Sequence, residues 1–279
     1  MAKKETKGRR KRRTKGKTMA ELADRFDLYQ RSVQGPEADV EVFDAIFRDL
    51  RGRAPRKLRE DFCGTGYLST TWAASAPGRT AVGIDLDQPT LDWGLRHNVE
   101  PAGEEVASRV RLLRADVRDG RGPRADIVCA LNFSFCVFKE RAELRHYFET
   151  VHDRLVRDGL FFAEIYGGSE AVLVMDEERK EDGFKVIWDQ AVYNPITHET
   201  LCHLHFKFRD GSRLDKAFTY DWRLWGIPEI REIMAEAGFA ATHAYWEQVD
   251  DDGDGTGEYE ATEEEENQET WLVYVVGVK

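Results

Sequence analysis

Three features of the chain predict an α/β protein, a Rossmann-like doubly wound sheet that is mostly parallel and ends in an antiparallel C-terminal hairpin. Strand-like and helix-like segments alternate from Leu58 to Gly168, and a glycine turn, Gly64-Thr65-Gly66, joins the first strand to the next helix. The last two strand-like segments have no helix between them. A block of two-residue periodicity from Phe184 to Tyr220 adds a small inserted antiparallel sheet.

Residues 1–18 hold ten Lys/Arg against the single Glu5 and show no apolar periodicity, so a disordered basic tail is expected there. It leaves −20 on the remainder of a chain whose net charge is −11. One domain is expected over 19–279, opening with a helix across "MAELADRFDLYQRSVQ". A Gly35-Pro36 break follows, then a helix over Val40–Leu50 with Val40, Phe43, Ile46, Phe47 and Leu50 on its apolar face.

Leu58–Phe62 reads as a strand leading through the glycine turn into a helix over Tyr67–Ala74. The strand "TAVGIDLD" leads to a helix that Asp87 caps and Pro89 opens. Strands in "RVRLLRAD" and "ADIVCALNFSF" come next. A helix over Lys139–Val156 then lines Leu144, Tyr147, Phe148 and Val151 along one face, before the strand "LFFAEIYGG". The insert, 167–225, carries "FKVIWDQAVY", "TLCHLHFKF" and "LDKAFTY". Beyond it lie a helix between Pro228 and Gly238, the strand "AATHAYWE", an acidic loop over 250–268, and the strand "TWLVYVVGV".

At 279 residues with 41% hydrophobic content the chain can bury a full α/β core. It has neither an apolar run of about 18 residues nor a signal-peptide core, so a cytoplasmic protein is expected, or a nuclear one if the host is eukaryotic and "GRRKRR" acts as a signal. Cys63, Cys129, Cys136 and Cys202 have no metal or disulfide spacing and read as reduced thiols. His203 and His205 share a strand face near His198, but no fourth ligand is evident and no metal is expected.

Glycines at the turn let a ligand approach the backbone, and the following helix N-terminus offers free N–H groups. The dinucleotide pattern G-x-G-x-x-G is met at two of three positions, because the third is Ser69. Asp85, closing the second strand, suits both hydroxyls of any adenosine ribose, and Asp116, closing the third, is placed to accept from an adenine amino group.

The order "LREDFCGTGYLS", "VGIDLD", "RADV", "ALNFSF" and "PEIREIMAEAGF" resembles the class I S-adenosylmethionine-dependent methyltransferases, over about Tyr29–Tyr166 and from Tyr220 onward. The resemblance implies S-adenosylmethionine as cofactor. It places Glu60, with Asp61 as the near alternative, at the cofactor's amino group, Gly64 and Gly66 under it, Asp85 at the ribose and Asp116 at the adenine. The motif neighbours Cys63, Leu86 and Val117 and the N-terminal helix's Tyr29 and Gln30 join them as contacts. Phe62 stands where the family usually has its first glycine. Because neighbours on a strand point to opposite faces, one of Glu60 and Asp61 has a structural alternative as the partner of an arginine such as Arg59.

On the acceptor side, Asn132-Phe133-Ser134-Phe135 keeps the outer pair, without either proline, of the Asn/Asp-Pro-Pro-aromatic motif that DNA and protein-amide N-methyltransferases carry at that point. Asn132 is thus a candidate for both cofactor and acceptor, with a hydrogen-bonded strand end as its alternative. Glu164 and Tyr166, ending the fifth strand, face the crevice where open α/β sheets bind ligands and complete the candidate catalytic set. The expected activity is methyl transfer to a small-molecule acceptor beneath the inserted sheet. A nucleic-acid or protein acceptor recruited by the basic tail is the first alternative, opposed by the −20 body. An NAD(P)-dependent oxidoreductase and a cofactor-binding module without catalysis are the others. No membrane partner is expected.

Overall fold

The protein is described by a computed structural model covering residues 16–249 and 255–279. Most of the basic tail expected over 1–18 lies outside the described residues, although Thr18 caps the first helix. The expected 19–34 helix is two. α1 (Met19–Leu22) ends at Ala23, and α2 (Arg25–Val33) restarts because the Asp24 carboxylate accepts from Phe26 N and caps it. Its successor α3 (Pro36–Arg51) opens on Pro36 and closes at Gly52 in the left-handed region, φ 65°.

Strands β1 (Lys57–Asp61), β2 (Thr80–Asp85), β3 (Val110–Arg114), β4 (Ala125–Ala130) and β5 (Leu155–Gly167) form the parallel part of the main sheet in the order β3-β2-β1-β4-β5. The strand order reverses between β1 and β4, the switch point at which such sheets bind ligands. Connections run through α4 (Tyr67–Ser75), α5 (Gln88–Gly94), α6 (Glu104–Ala107) and α7 (Arg141–Arg154). Beyond α8 (Ile227–Glu236), β12 (Trp271–Val278) inserts antiparallel between β5 and β10 (Ala241–Val249), which makes the expected C-terminal hairpin.

The acidic loop expected over 250–268 needs correction. Residues 250–254 lie outside the described ones, but Gly255–Thr262 is a strand, β11, paired antiparallel to β10. Tyr259 packs on Tyr274 at 5.1 Å, while the carboxylates of Glu258 and Glu260 face solvent on an edge strand, where charge is tolerated and blocks further pairing.

The insert is a four-stranded antiparallel sheet, β6 (Met175–Glu181), β7 (Phe184–Asn194), β8 (Glu199–Phe208) and β9 (Arg213–Arg223), in sequence order. Its first strand, "MDEERKE", lacks apolar alternation and was not expected; as an edge strand it needs none.

One core fills the space under α7 and α8 with Tyr147, Phe148, Phe161 and Trp225, and another lies under α3 and α4 with Phe43, Phe47 and Trp72. A third joins the insert to α2 through Leu28, Phe184 and Phe206. The N-terminal helices are therefore bound to the insert, as the bonds from Met19 N to Asp210 (2.8 Å) and from Ala20 N to Ser212 Oγ (3.1 Å) also show.

Candidate active site at the strand switch point

The sheet's turning point sets unusual backbone. Phe62 after β1 has φ 60°, and Asn132 and Phe133 after β4 have φ 50° and 56°. Side chains in this region cost on the order of 1–3 kcal/mol each and persist where the surroundings enforce them. The conformation explains why glycine suits position 62. Here the ring turns aside, meeting Phe138 at 5.9 Å and Tyr147 at 5.6 Å, and leaves the glycine turn unobstructed.

The turn is held from several sides. Asp85 accepts from Gly64 N and Asp87 N, both at 2.9 Å. Around Thr65, Gln30 of α2 donates to the hydroxyl at 2.7 Å and Asn98 donates to the carbonyl at 3.0 Å. Gly94 of α5 lies so close that a Cβ there would sit 2.0 Å from the Thr65 carbonyl oxygen. Over Gly64, in contrast, an added Cβ would meet nothing nearer than 4.0 Å, so the turn's upper surface is open.

The paired acids lie beneath the turn and line neither of the two cavities described below. Glu60 accepts from Ser69 N (2.9 Å) and Ser69 Oγ (2.6 Å), and burial pushes its carboxyl up to about 8 despite those bonds. Asp61 accepts from Arg59 at 2.7 Å and from the Tyr147 hydroxyl at 3.0 Å. Arg59, 1% exposed, also donates to the carbonyls of Val117 and Arg121 and so ties β1 to the segment after β3. The Arg59 pairing left open for one of the two acids belongs to Asp61. Cys63 is buried against Gly83, with a thiol that burial holds protonated.

Two cavities open at the strand ends. The first, about 310 Å³, is bounded by Asp85, Leu86, Asp116, Val117, Phe138 and Phe62. Asp116 lines it but is already bound bidentately by Arg118, at 3.0 and 2.8 Å, and its carboxyl is held below the ordinary value by those bonds. Arg118 was not singled out from sequence; its place two residues after an acid on a short turn is the only signal.

The second cavity, about 550 Å³, lies between the main sheet and the insert. Tyr29, Asn132, Glu164 and Tyr166 all line it. Glu164 accepts from Asn132 N, and burial with the nearby Asp39 pushes its carboxyl up to about 7. The Tyr166 hydroxyl is buried and has no hydrogen-bond partner among the described residues. Tyr29 meets Phe218 at 4.8 Å, and burial pushes its hydroxyl up to about 12.

From the insert come Trp188 and Trp222; Trp225 instead fills the core, donating to the Phe138 carbonyl at 3.2 Å. Leu204 takes the cavity face of β8, so His203 and His205 turn away and bond to Thr219 and to Asp189 and Asp215. Among the described residues no group of three or more His, Cys, Asp or Glu is placed to hold a metal, and no helix is long and apolar enough to cross a membrane. Sequence reasoning missed Trp246 and Trp271, which line the cavity from the C-terminal strands with ring centres 5.5 Å apart.

No family model matches the chain. A curated relative, the rRNA N(6)-adenosine-methyltransferase metl-5 of Caenorhabditis elegans, is 29% identical over 153 residues, 53% of this chain and 68% of that protein. Among solved structures, an S-adenosylmethionine-dependent methyltransferase from Clostridium acetobutylicum superposes with a TM-score of 0.65 at 15% identity, covering 91% of this chain and 96% of its own. The chain has the class I methyltransferase fold. Two other solved structures share it. CalS10, an amino pentose methyltransferase from Micromonospora echinaspora, matches with a TM-score of 0.64 at 18% identity over 91% of this chain and 96% of its own. KedS8, a sugar N-methyltransferase from Streptoalloteichus, matches with a TM-score of 0.61 at 18% identity over 98% and 99%. The methyltransferase resemblance stated from sequence is thus borne out.

Proposed function

We propose that the protein transfers a methyl group from S-adenosylmethionine to a small-molecule acceptor held in the 550 Å³ cavity. The observation that supports this reading is the pair of cavities at the strand switch point, one lined by Asp85, Asp116 and apolar side chains and one carrying a run of aromatic rings.

The residues present fit the cofactor. Asp85 uses one lone pair on each oxygen for Gly64 N and Asp87 N, leaving others for two ribose hydroxyls. Leu86, Val117 and Phe138 offer apolar faces to an adenine, with Asp116 at its edge, and the open surface over Gly64 admits a ligand to the backbone. When bound, S-adenosylmethionine supplies an electrophilic methyl group on a sulfonium. The chain's part is to hold the acceptor in line and exclude water. Asn132 and Tyr166 would orient the acceptor, and Glu164 would bond its reacting group. The insert and α2, joined by the third core, cover the site.

The relatives support the small-molecule reading to the extent that CalS10 and KedS8 are sugar methyltransferases covered over nearly their whole length. The name of the curated relative favours RNA as a second acceptor, for which the ten Lys/Arg of residues 1–18 would supply phosphate contacts. Labelled methyl transfer to pooled small molecules and to RNA, with the full chain and with residues 1–15 removed, separates the two. Turnover of a small molecule that survives the deletion supports the proposal. Labelling of RNA alone, lost on deletion or at raised salt, overturns it.

A further inference from the structure

The cavity's lining is chemically one-sided. Among the described residues, Glu164, Glu170, Glu177 and Glu247 line it, against one guanidinium, Arg179. That guanidinium is already engaged by Glu181 at 3.0 Å and by the Ser32 carbonyl. Part of the remaining wall is a run of aromatic rings in contact, beside aliphatic and neutral polar residues such as Met175, Leu204, Gln190 and Gln268. Phe133 meets Tyr166 at 4.5 Å and Trp222 at 6.0 Å, Tyr220 meets Trp222 at 4.5 Å, and Trp188 meets Tyr220 at 5.5 Å. Ring faces and carboxylates together favour a cation over a neutral molecule of the same shape.

Glu164 lines the same cavity with a single donor, the Asn132 N–H, and no Lys or Arg bonded to it among the described residues. Tyr166, two residues along β5 and therefore on the same face, brings the unpartnered hydroxyl. Behind Glu164 lies a second carboxylate, Asp39 of α3, which accepts from the Tyr274 hydroxyl at 2.7 Å and adds negative potential.

Building on the methyltransferase reading, we propose that the acceptor is an amine that enters the cavity as an ammonium ion, and that Glu164 binds this cation and takes its proton. The ammonium N–H bond breaks toward a Glu164 oxygen and leaves the lone pair on nitrogen. That pair forms the new C–N bond as the methyl C–S bond breaks. The C–S electron pair goes to sulfur, so the positive charge passes from sulfur to the methylated nitrogen. The other acceptor classes fit less well. A carboxylate would enter against four carboxylates, and a neutral alcohol would gain nothing from their charge.

The test uses the full chain saturated with S-adenosylhomocysteine, after calorimetry has shown that it binds. Tetramethylammonium, which cannot itself be methylated, and tert-butanol, its neutral counterpart in shape, are titrated while tryptophan fluorescence is read. The expected result is binding of the cation at least roughly tenfold tighter than of the alcohol, and a roughly tenfold loss of cation affinity in Glu164→Gln with S-adenosylhomocysteine affinity unchanged. Equal or tighter binding of tert-butanol by the wild type overturns the proposal whether or not the variant folds, and so does a folded Glu164→Gln with undiminished cation affinity. Failure of S-adenosylhomocysteine to bind at all overturns the methyltransferase reading and this inference with it.

Discussion

Gly94→Ala would disturb the glycine turn from a helix that never touches either cavity. The added Cβ would lie 2.0 Å from the Thr65 carbonyl oxygen, 2.6 Å from its carbon and 2.8 Å from its Cα. All three are backbone atoms, so no side chain can rotate away, and α5 must retreat from the turn by roughly 1 Å to restore ordinary contact. Forcing a methyl group into packed structure costs about 1–3 kcal/mol, with backbone obstacles at the upper end. The better helix propensity of alanine returns up to about 1 kcal/mol. A net loss of about 2 kcal/mol corresponds to a Tm lowered by roughly 4–8 °C. The displaced turn also carries the Asn98 and Gln30 bonds, so S-adenosylhomocysteine affinity falls with it. Gly16→Ala, outside any helix, is the control, since a Cβ there meets nothing within 4 Å. Calorimetric binding and thermal unfolding of both variants are the assay. A Gly94→Ala protein matching wild type in both would refute the claim that this contact sets the turn.

Two other perturbations follow from buried charge. Arg59→Ala strands the Asp61 carboxylate in the core and should cost about 3–5 kcal/mol in urea unfolding, whereas Arg59→Met combined with Asp61→Leu should recover most of it; a double variant as unstable as the single would contradict this. Glu60 has a folded value of about 8 against 4.5 for an ordinary glutamate, so the native state keeps a proton that the unfolded chain releases in between. Its contribution to stability is complete below about 4.5 and is lost as pH rises through 8. Glu60→Gln should therefore gain stability relative to wild type as pH is raised from 5 to 8, read as the difference in Tm because Asp39 and Glu164 titrate in the same direction; a pH-independent difference would count against it.

Much of the main sheet was legible because strands such as β4, buried throughout, are largely apolar and helices such as α3 carry one-sided faces. The strands that escaped notice, β6 and β11, are charged edge strands whose pairing is settled by neighbours distant in sequence. The helix break at Asp24 was written in a capping residue inside an otherwise helical pattern. At the site, strand-end positions could be placed by counting, so Asp85, Asn132, Glu164 and Tyr166 could be named, but their partners could not. That Arg59 takes Asp61 rather than Glu60, and that Arg118 folds back onto Asp116, are pairings two residues apart set by side-chain direction, which no sequence pattern fixes; that Trp246 and Trp271 reach the cavity depends on packing between segments far apart in the chain.

The account rests on a pocket that binds adenosine beside the glycine turn. Calorimetry with S-adenosylhomocysteine and with NAD, on wild type and on Asp85→Ala, tests it most directly. The predicted result is S-adenosylhomocysteine binding by the wild type, weakened by roughly tenfold to a hundredfold on loss of a charged acceptor for two hydroxyls, with no binding of NAD. Tight NAD binding with indifference to the sulfur ligand, or full affinity retained by a folded Asp85→Ala protein, would contradict it.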